Sequence, residues 1–171
     1  MQQMDDLFRG LMEYLKENWI PEEEYCPDGS RSETIREGTK WADYTPDDAK
    51  NLEVLIREIG ESFQEMLFRK IDERHMTDAE VYKKAGLDRK LFSKIRSNPA
   101  YHPRKRTVLA LAIALSLNLD ETAELLKKAG YALSPGEKQD VIVKYFIEKE
   151  VYDINVINIA LQSYDQPLLA E

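Results

Sequence analysis

Cysteine, glycine and proline are scarce in this chain of 171 residues, which contains one Cys, seven Gly and seven Pro. Because Cys26 has no second cysteine to pair with, an internal disulfide is excluded and a reducing compartment is favoured. Hydrophobic residues make up 43% of the chain and charged residues 33%. This composition indicates a globular rather than a disordered protein, long enough for one domain or for a small domain with an extension.

Long apolar runs are also lacking. The longest stretch without a charged residue is Thr107–Leu119, which is shorter than the roughly 20 residues of a membrane-spanning helix. The first residues, MQQMDDLFRG, begin acidic and lack the basic-then-apolar order of a secretory signal. We therefore expect a cytoplasmic protein without a membrane partner.

Sequence motifs of common enzymes are absent too. The chain has no glycine-rich phosphate loop, no nucleophile elbow and no HExxH motif. His75 and His102 are not spaced with Cys26 as zinc ligands would be. The carboxylates are scattered over predicted helices, which is typical of a solvated face. We predict a protein that is not an enzyme, with no catalytic residue, no metal and no cofactor.

An apolar stripe near the N-terminus predicts an amphipathic helix. Its members are Leu7, Phe8, Leu11, Met12, Leu15 and Trp19. We expect the stripe to pack on the chain's own core, and a docking surface for a partner helix is the alternative. Residues 21–44 predict a loop, so residues 1–45 are assigned to an N-terminal helix and acidic loop.

A second helix is predicted to begin at Thr45-Pro46 and to run to about His75, with Gly60 as a possible break. Its apolar residues alternate steps of four and three, as in a coiled coil. They are Leu52, Ile56, Ile59, Phe63 and Met66. We favour packing within the chain over a dimer seam, because the pattern lasts only about two heptads.

Positive charge is concentrated in Thr77–Arg106, where nine cations and three carboxylates give +6 in a chain of net charge −8. Thr77 and Glu80 form a capping-box pattern that begins a short helix, and Gly86 predicts its left-handed end. Asp88 then caps a second helix, Arg89–Ser97. Two short helices joined by a tight turn predict a helix-turn-helix whose basic face suits an anionic partner.

The outward row of the second helix contains cations and hydroxyls but no carboxylate. We predict that these side chains face DNA bases: Arg89, Lys90, Ser93, Lys94 and Ser97. A further set of cations is expected on the DNA backbone: Lys83, Lys84, Arg104, Lys105 and Arg106.

Phe68–Tyr131 resembles the phage-repressor-like helix-turn-helix family, of the Cro-like or XRE type. The matching residues are Val81, Gly86, Leu87, Phe92, Ser93 and Ile95, followed by a loop and an apolar helix. Two positions depart from the family pattern: Tyr82 stands where Ala is usual, and Asp78 where a DNA-contacting Gln is frequent. Ala85–Asp165 also resembles a regulatory C-terminal module of bacterial stress or defence proteins, although no macrodomain motif is present.

The C-terminal half predicts further helices. Thr107–Leu119 is apolar almost all round and predicts a buried core helix. Asp120 is the expected cap of the next helix, Ser134–Glu137 the capping box of another, and Asp153 the start of the last. We expect this tail to complete the core, with a dimer interface as the alternative.

These patterns predict an all-α fold of about eight helices. Residues 46–134 are assigned to a repressor-like core with a long leading helix, and residues 135–171 to a C-terminal helical pair. The resemblance and the basic face together indicate a double-stranded DNA-binding transcriptional regulator with Arg89–Ser97 as recognition helix. A homodimer is expected because one short helix contacts few base pairs. The alternative is a regulatory adaptor that uses the same scaffold to bind a protein partner instead of DNA.

Overall fold

The computed structural model describes residues 10, 11, 13–15, 17, 18 and 60–169. All regular secondary structure in these residues is α-helical, which confirms the predicted all-α class. The N-terminal group, residues 10–18, is helical wherever it is described. Seven helices follow: α1 (Phe63–Glu73), α2 (Asp78–Lys84), α3 (Arg89–Ser97), α4 (Lys105–Ala114), α5 (Leu119–Lys128), α6 (Lys138–Glu148) and α7 (Ile154–Ser163).

Helix α4 lies at the centre of the fold. All eight residues of 107–114 are buried, and α4 packs against α2, α5 and α7. The prediction of a core helix is confirmed, but its predicted end at Leu119 is wrong. The helix stops at Ala114 because Ser116 adopts a left-handed backbone conformation with φ of 50°, although Leu117 beyond it is still buried.

Two predicted helix caps are wrong. Helix α5 is capped by Asn118 rather than Asp120, since the Asn118 side chain and Glu121 form a capping box that begins two residues earlier. Ser134 does not cap α6, which begins at Lys138 without a side-chain cap. The Ser134 hydroxyl accepts the N–H of Gly136 instead, at 3.2 Å, and the backbone N–H of Ser134 donates to the carboxylate of Asp140, at 2.7 Å.

The predicted helix from residue 45 to about His75 is not continuous. Gly60–Ser62 is not helical, which confirms the break expected near Gly60. Helix α1 begins afresh because Ser62 and Glu65 form a capping box. Phe63 and Met66 of the apolar seam are buried in the chain's own core; the seam residues Leu52, Ile56 and Ile59 lie outside the described residues.

The two C-terminal helices complete the core, as expected. Helix α6 packs against α7, and α7 also packs against α4. Phe146 and Ile157 are fully buried and belong to the same hydrophobic cluster as the core of α4. That cluster therefore extends across the predicted boundary at residue 134.

The N-terminal stripe also packs on the chain itself where it is described. Leu11 and Leu15 are buried, and the ring of Tyr14 lies 5.1 Å from that of Tyr145 on α6. Leu7, Phe8, Met12 and Trp19 lie outside the described residues. Across the described part of the chain, no helix has both the length and the apolar character needed to cross a membrane.

Candidate nucleic-acid interface

Helices α2 and α3 both begin with N-cap hydrogen bonds that the sequence predicts. The Thr77 side chain accepts the N–H of Glu80, and the Glu80 carboxylate accepts the N–H of Thr77 at 2.7 Å, as predicted. Gly86 takes a left-handed φ of 63° after α2. Asp88 accepts the N–H of Lys90 at 2.6 Å and so fixes the first turn of α3. The predicted bounds of α3 are confirmed.

The buried face of α3 is anchored by aromatic contacts. Phe92 is 2% exposed, and its ring centroid lies 6.2 Å from Phe68 on α1 and 6.1 Å from Tyr82 on α2. Tyr82 is therefore a half-buried packing residue between α2 and α3. Aromatic pairs at these separations attract one another, so Phe92 holds α3 against both α1 and α2.

The outward row of α3 is exposed along its whole length: Arg89, Lys90, Ser93, Lys94 and Ser97. Arg89 and Lys90 form no ion pair with any residue that the structure describes. The ammonium of Lys94 lies 4.4 Å above the ring of Tyr101. An aromatic ring does not neutralise a cation, and the Lys94 residue is still exposed to solvent. The predicted arrangement of the row is confirmed, whereas contact with DNA bases stays a prediction.

Asp78 is neutralised by an arginine that sequence reasoning missed. Its carboxylate pairs with the guanidinium of Arg96, which also lies 4.5 Å from the ring centroid of Phe68. The two residues are 18 positions apart on different helices, and no spacing rule connects them. The Asp78 carboxylate therefore carries its own counterion.

The five predicted backbone contacts fall into two separate places. Lys83 and Lys84 line a groove of about 340 Å³ near the C-terminal end of α4, together with Ser116, Tyr152 and Asn155. The other three cations, residues 104–106, lie at the N-terminal end of α4. Because ten helical residues extend about 15 Å, one patch of DNA backbone does not account for both groups by proximity alone.

The three cations at the start of α4 have different surroundings. Arg104 is exposed and precedes the helix, whereas Lys105 and Arg106 are half-buried. The ammonium of Lys105 pairs with Asp140, whose side chain is only 2% exposed. Burial raises the pKa of the Asp140 carboxyl, while the hydrogen bonds from Lys105 and from the N–H of Ser134 oppose that rise. Sequence reasoning missed this pair because its members lie 35 positions apart on different helices.

A second concave surface lies beside residues 98–106, called the basic loop because it ends in Arg104, Lys105 and Arg106. It is a groove of about 500 Å³ between the start of α1, the loop 98–104 and the end of α5. Apolar side chains of Phe63, Pro99 and Tyr101 line it together with charged residues of both signs: Glu61, Glu124, Lys127 and Lys128. The carboxylates would repel a DNA backbone, so the groove suits a protein segment better.

Searches of protein-family models, of curated proteins and of solved structures give no significant match to this chain. The resemblance of Phe68–Tyr131 to phage-repressor-like proteins therefore rests on the residues quoted above and stays a prediction.

Proposed function

We propose that this protein is a double-stranded DNA-binding transcriptional regulator that inserts α3 into the major groove. The observation that carries the proposal is the exposed row of α3, in which three cations and two hydroxyls occur without a carboxylate. Arginine and lysine can contact guanine edges or phosphates, and serine can donate to or accept from either. No other described helix presents such a row.

The dimensions of α3 fit this role. An α-helix with its side chains is about 10–12 Å across, and the major groove of B-DNA is about 12 Å wide. The nine residues of α3 extend about 14 Å along that groove. Asp88 caps the end of α3 from which Arg89 and Lys90 project. These two side chains are therefore the first candidates for base contact, with Ser93 and Lys94 one turn farther along.

The acidic character of the whole chain does not oppose this proposal. At physiological ionic strength, charges more than about 8 Å apart are largely screened, so the local face decides the interaction. Arg104 supplies an exposed cation at the start of α4, where the free N–H groups of a ten-residue helix also favour phosphate. Since one short helix contacts few base pairs, we propose that a homodimer binds two half-sites.

The deciding experiment is a titration of a fluorescein-labelled, mixed-sequence 30-bp duplex, followed by anisotropy at about 50 and 200 mM salt. Wild-type protein should bind more weakly at the higher salt concentration. Arg89→Ala combined with Lys90→Ala should weaken binding at both salt concentrations. On this mixed-sequence duplex the two cations contact phosphates instead of chosen bases, so the slope of log K against log salt should fall by up to about 1.8 per bound protomer, since each phosphate contact contributes about 0.9.

A matched control removes the same charge elsewhere. Lys144→Ala with Lys149→Ala takes two cations from α6 and its C-terminal end, away from α3. This variant should retain the wild-type slope. Absence of duplex binding by wild type at the lower salt concentration, or equal loss in both variants, would refute the proposal.

The second candidate function is a regulatory adaptor that binds a protein partner. The groove beside Phe63 and Tyr101 supports it, because its apolar wall lies next to the basic loop. If wild type fails to bind any duplex while Tyr101→Ala disrupts a complex isolated with a partner protein, the adaptor function replaces the DNA-binding one.

A further inference from the structure

The pair formed by Lys105 and Asp140 connects the basic loop to the C-terminal helices. Lys105 is the first residue of α4, and Asp140 lies in the first turn of α6. Asp140 Oδ2 accepts hydrogen bonds from the Lys105 ammonium and from the N–H of Ser134. One buried carboxylate oxygen therefore holds the start of α4 against the loop before α6.

A second contact fixes the same segment two residues earlier. The hydroxyl of Tyr131 donates to the carbonyl oxygen of Pro103, at 3.1 Å. Pro103 is buried, while Arg104 between the two contacts is exposed. Because hydrogen bonds hold the residues on both sides of Arg104, the backbone position of Arg104 is fixed.

Neighbouring cations at the start of α4 thus have opposite roles. The Lys105 side chain is 26% exposed and its ammonium is committed to a buried carboxylate. Arg104 has no ion pair within the described part of the chain. A phosphate could recruit Lys105 only by leaving Asp140 buried and unpaired, which is strongly unfavourable.

We propose that Asp140 is a positioning residue of the DNA interface, which holds Lys105 inward so that Arg104 is the cation that neutralises a phosphate. This inference rests on the proposed DNA-binding function. It assigns to the C-terminal pair, through Asp140, a part in orienting the DNA-binding surface in addition to completing the core.

The first test needs no DNA. Reductive dimethylation of surface amines, followed by peptide mass spectrometry, measures how accessible each lysine is. In wild type, Lys105 should react roughly tenfold more slowly than Lys90, because its ammonium is held in a buried ion pair. Asp140→Asn should release Lys105 and bring its labelling rate close to that of Lys90.

An internal control separates release from unfolding. Lys70 is 12% exposed and pairs with Glu121, far along the chain from Asp140. It should stay protected in Asp140→Asn if the variant is folded. Equal labelling of Lys105 and Lys90 in wild type would overturn the proposal.

The second test compares the two cations as phosphate contacts on the same duplex. Arg104→Met should make the salt slope shallower by about 0.9 per bound protomer. The double variant Lys105→Met with Asp140→Asn replaces the buried pair by neutral groups and should keep the wild-type slope. A loss of about 0.9 in the double variant instead would place Lys105 on the DNA and refute the assignment.

The two tests distinguish the possible failures. If wild type does not bind the duplex, the proposed function fails, and the labelling experiment still decides whether Asp140 holds Lys105. If wild type binds but Arg104→Met leaves the slope unchanged, DNA binding stands and the positioning role of Asp140 is refuted.

Discussion

Helices α3 and α4 are consecutive and nearly equal in length, yet they use their surfaces in opposite ways. Two of the nine residues of α3 are buried, Phe92 and Ile95, and its cations point outward. Eight of the ten residues of α4 are buried, and it has no acidic residue in its first turn or basic residue in its last. Helix α4 therefore mainly supports the stability of the fold, whereas α3 mainly exposes positive charge. Substitutions in α4 should lower stability without changing DNA affinity, and substitutions on the exposed row of α3 should do the reverse.

The largest expected effect is in α4. Leu111→Ala should destabilise the protein by about 2–5 kcal/mol, because a fully buried leucine is replaced by a cavity. Urea unfolding followed by circular dichroism measures the change. At temperatures where the variant is folded, its duplex affinity should match wild type; a lost affinity in the folded variant would break the separation between the two helices.

The next effect concerns charges that serve stability rather than binding. Glu121 of α5 receives the Lys70 ammonium at 2.7 Å and the Arg74 guanidinium at 3.1 Å, which ties α5 to α1. Burial alone would raise the pKa of the Glu121 carboxyl. The hydrogen bonds from Lys70 and from the N–H of Asn118, with the charge of Arg74, outweigh burial and hold that pKa below 4.5.

Glu121→Gln should therefore cost about 1–3 kcal/mol at neutral pH, since charged partners lose their acceptor. A lowered carboxyl pKa contributes stability above the unfolded value of 4.5, and this contribution disappears as pH falls through the folded value. The difference between wild type and variant should thus shrink below about pH 4.5. Urea unfolding at pH 7, 5 and 3.5 tests this, and a constant difference would contradict the assigned ion pair.

A smaller effect is expected at Asp78, which sharpens the boundary between α2 and α3. Asp78→Asn should change the free energy of unfolding by less than about 1 kcal/mol, because its pair with Arg96 is partly exposed. The same substitution releases the Arg96 guanidinium, so the salt slope of duplex binding should become steeper by up to about 0.9. Strong destabilisation would mean that the pair sets the crossing of the two helices.

The smallest effect on stability should come from the surface of α3. Arg89→Ala and Lys90→Ala should each change the free energy of unfolding by less than about 0.5 kcal/mol, because neither side chain is buried or ion-paired within the described residues. Chemical denaturation of each single variant measures this. A loss comparable to that of Leu111→Ala would show that α3 supports the core.

Local patterns predicted the parts of the interface that neighbouring residues decide. The capping box of Thr77 and the bounds of α3 follow from hydrogen bonds and periodicity over a few positions. The ion pairs of Asp78 with Arg96 and of Lys105 with Asp140 were not predictable, since they join residues 18 and 35 positions apart. Such pairs depend on how the helices pack, which no spacing within one helix records.

The same limit separates the two groups of predicted backbone contacts. Lys83, Lys84 and Arg104 look alike in the sequence as exposed cations near a helix end. Only the position of α4 between them shows that they occupy opposite ends of a buried helix. Tyr82 is a related case, because its contact with Phe92 on the next helix follows from how α2 and α3 pack.

The way the helices stop has a consequence for how this sequence can be interpreted. Six of the seven bounded helices end in a Schellman motif, with a left-handed residue followed by a hydrogen bond back into the last turn. Only two of these left-handed residues are glycine, and the others are His75, Ser116, Glu150 and Asp165.

The small number of glycines therefore does not limit the number of helices that end in a left-handed residue. The exception is α3, which is followed by Asn98 in an extended conformation and then by Pro99, whose ring excludes a left-handed φ. Each of the other six bounded helices is followed by a left-handed residue and a hydrogen bond back into its last turn. Helix α3 is followed instead by an extended residue, which leads into the basic loop.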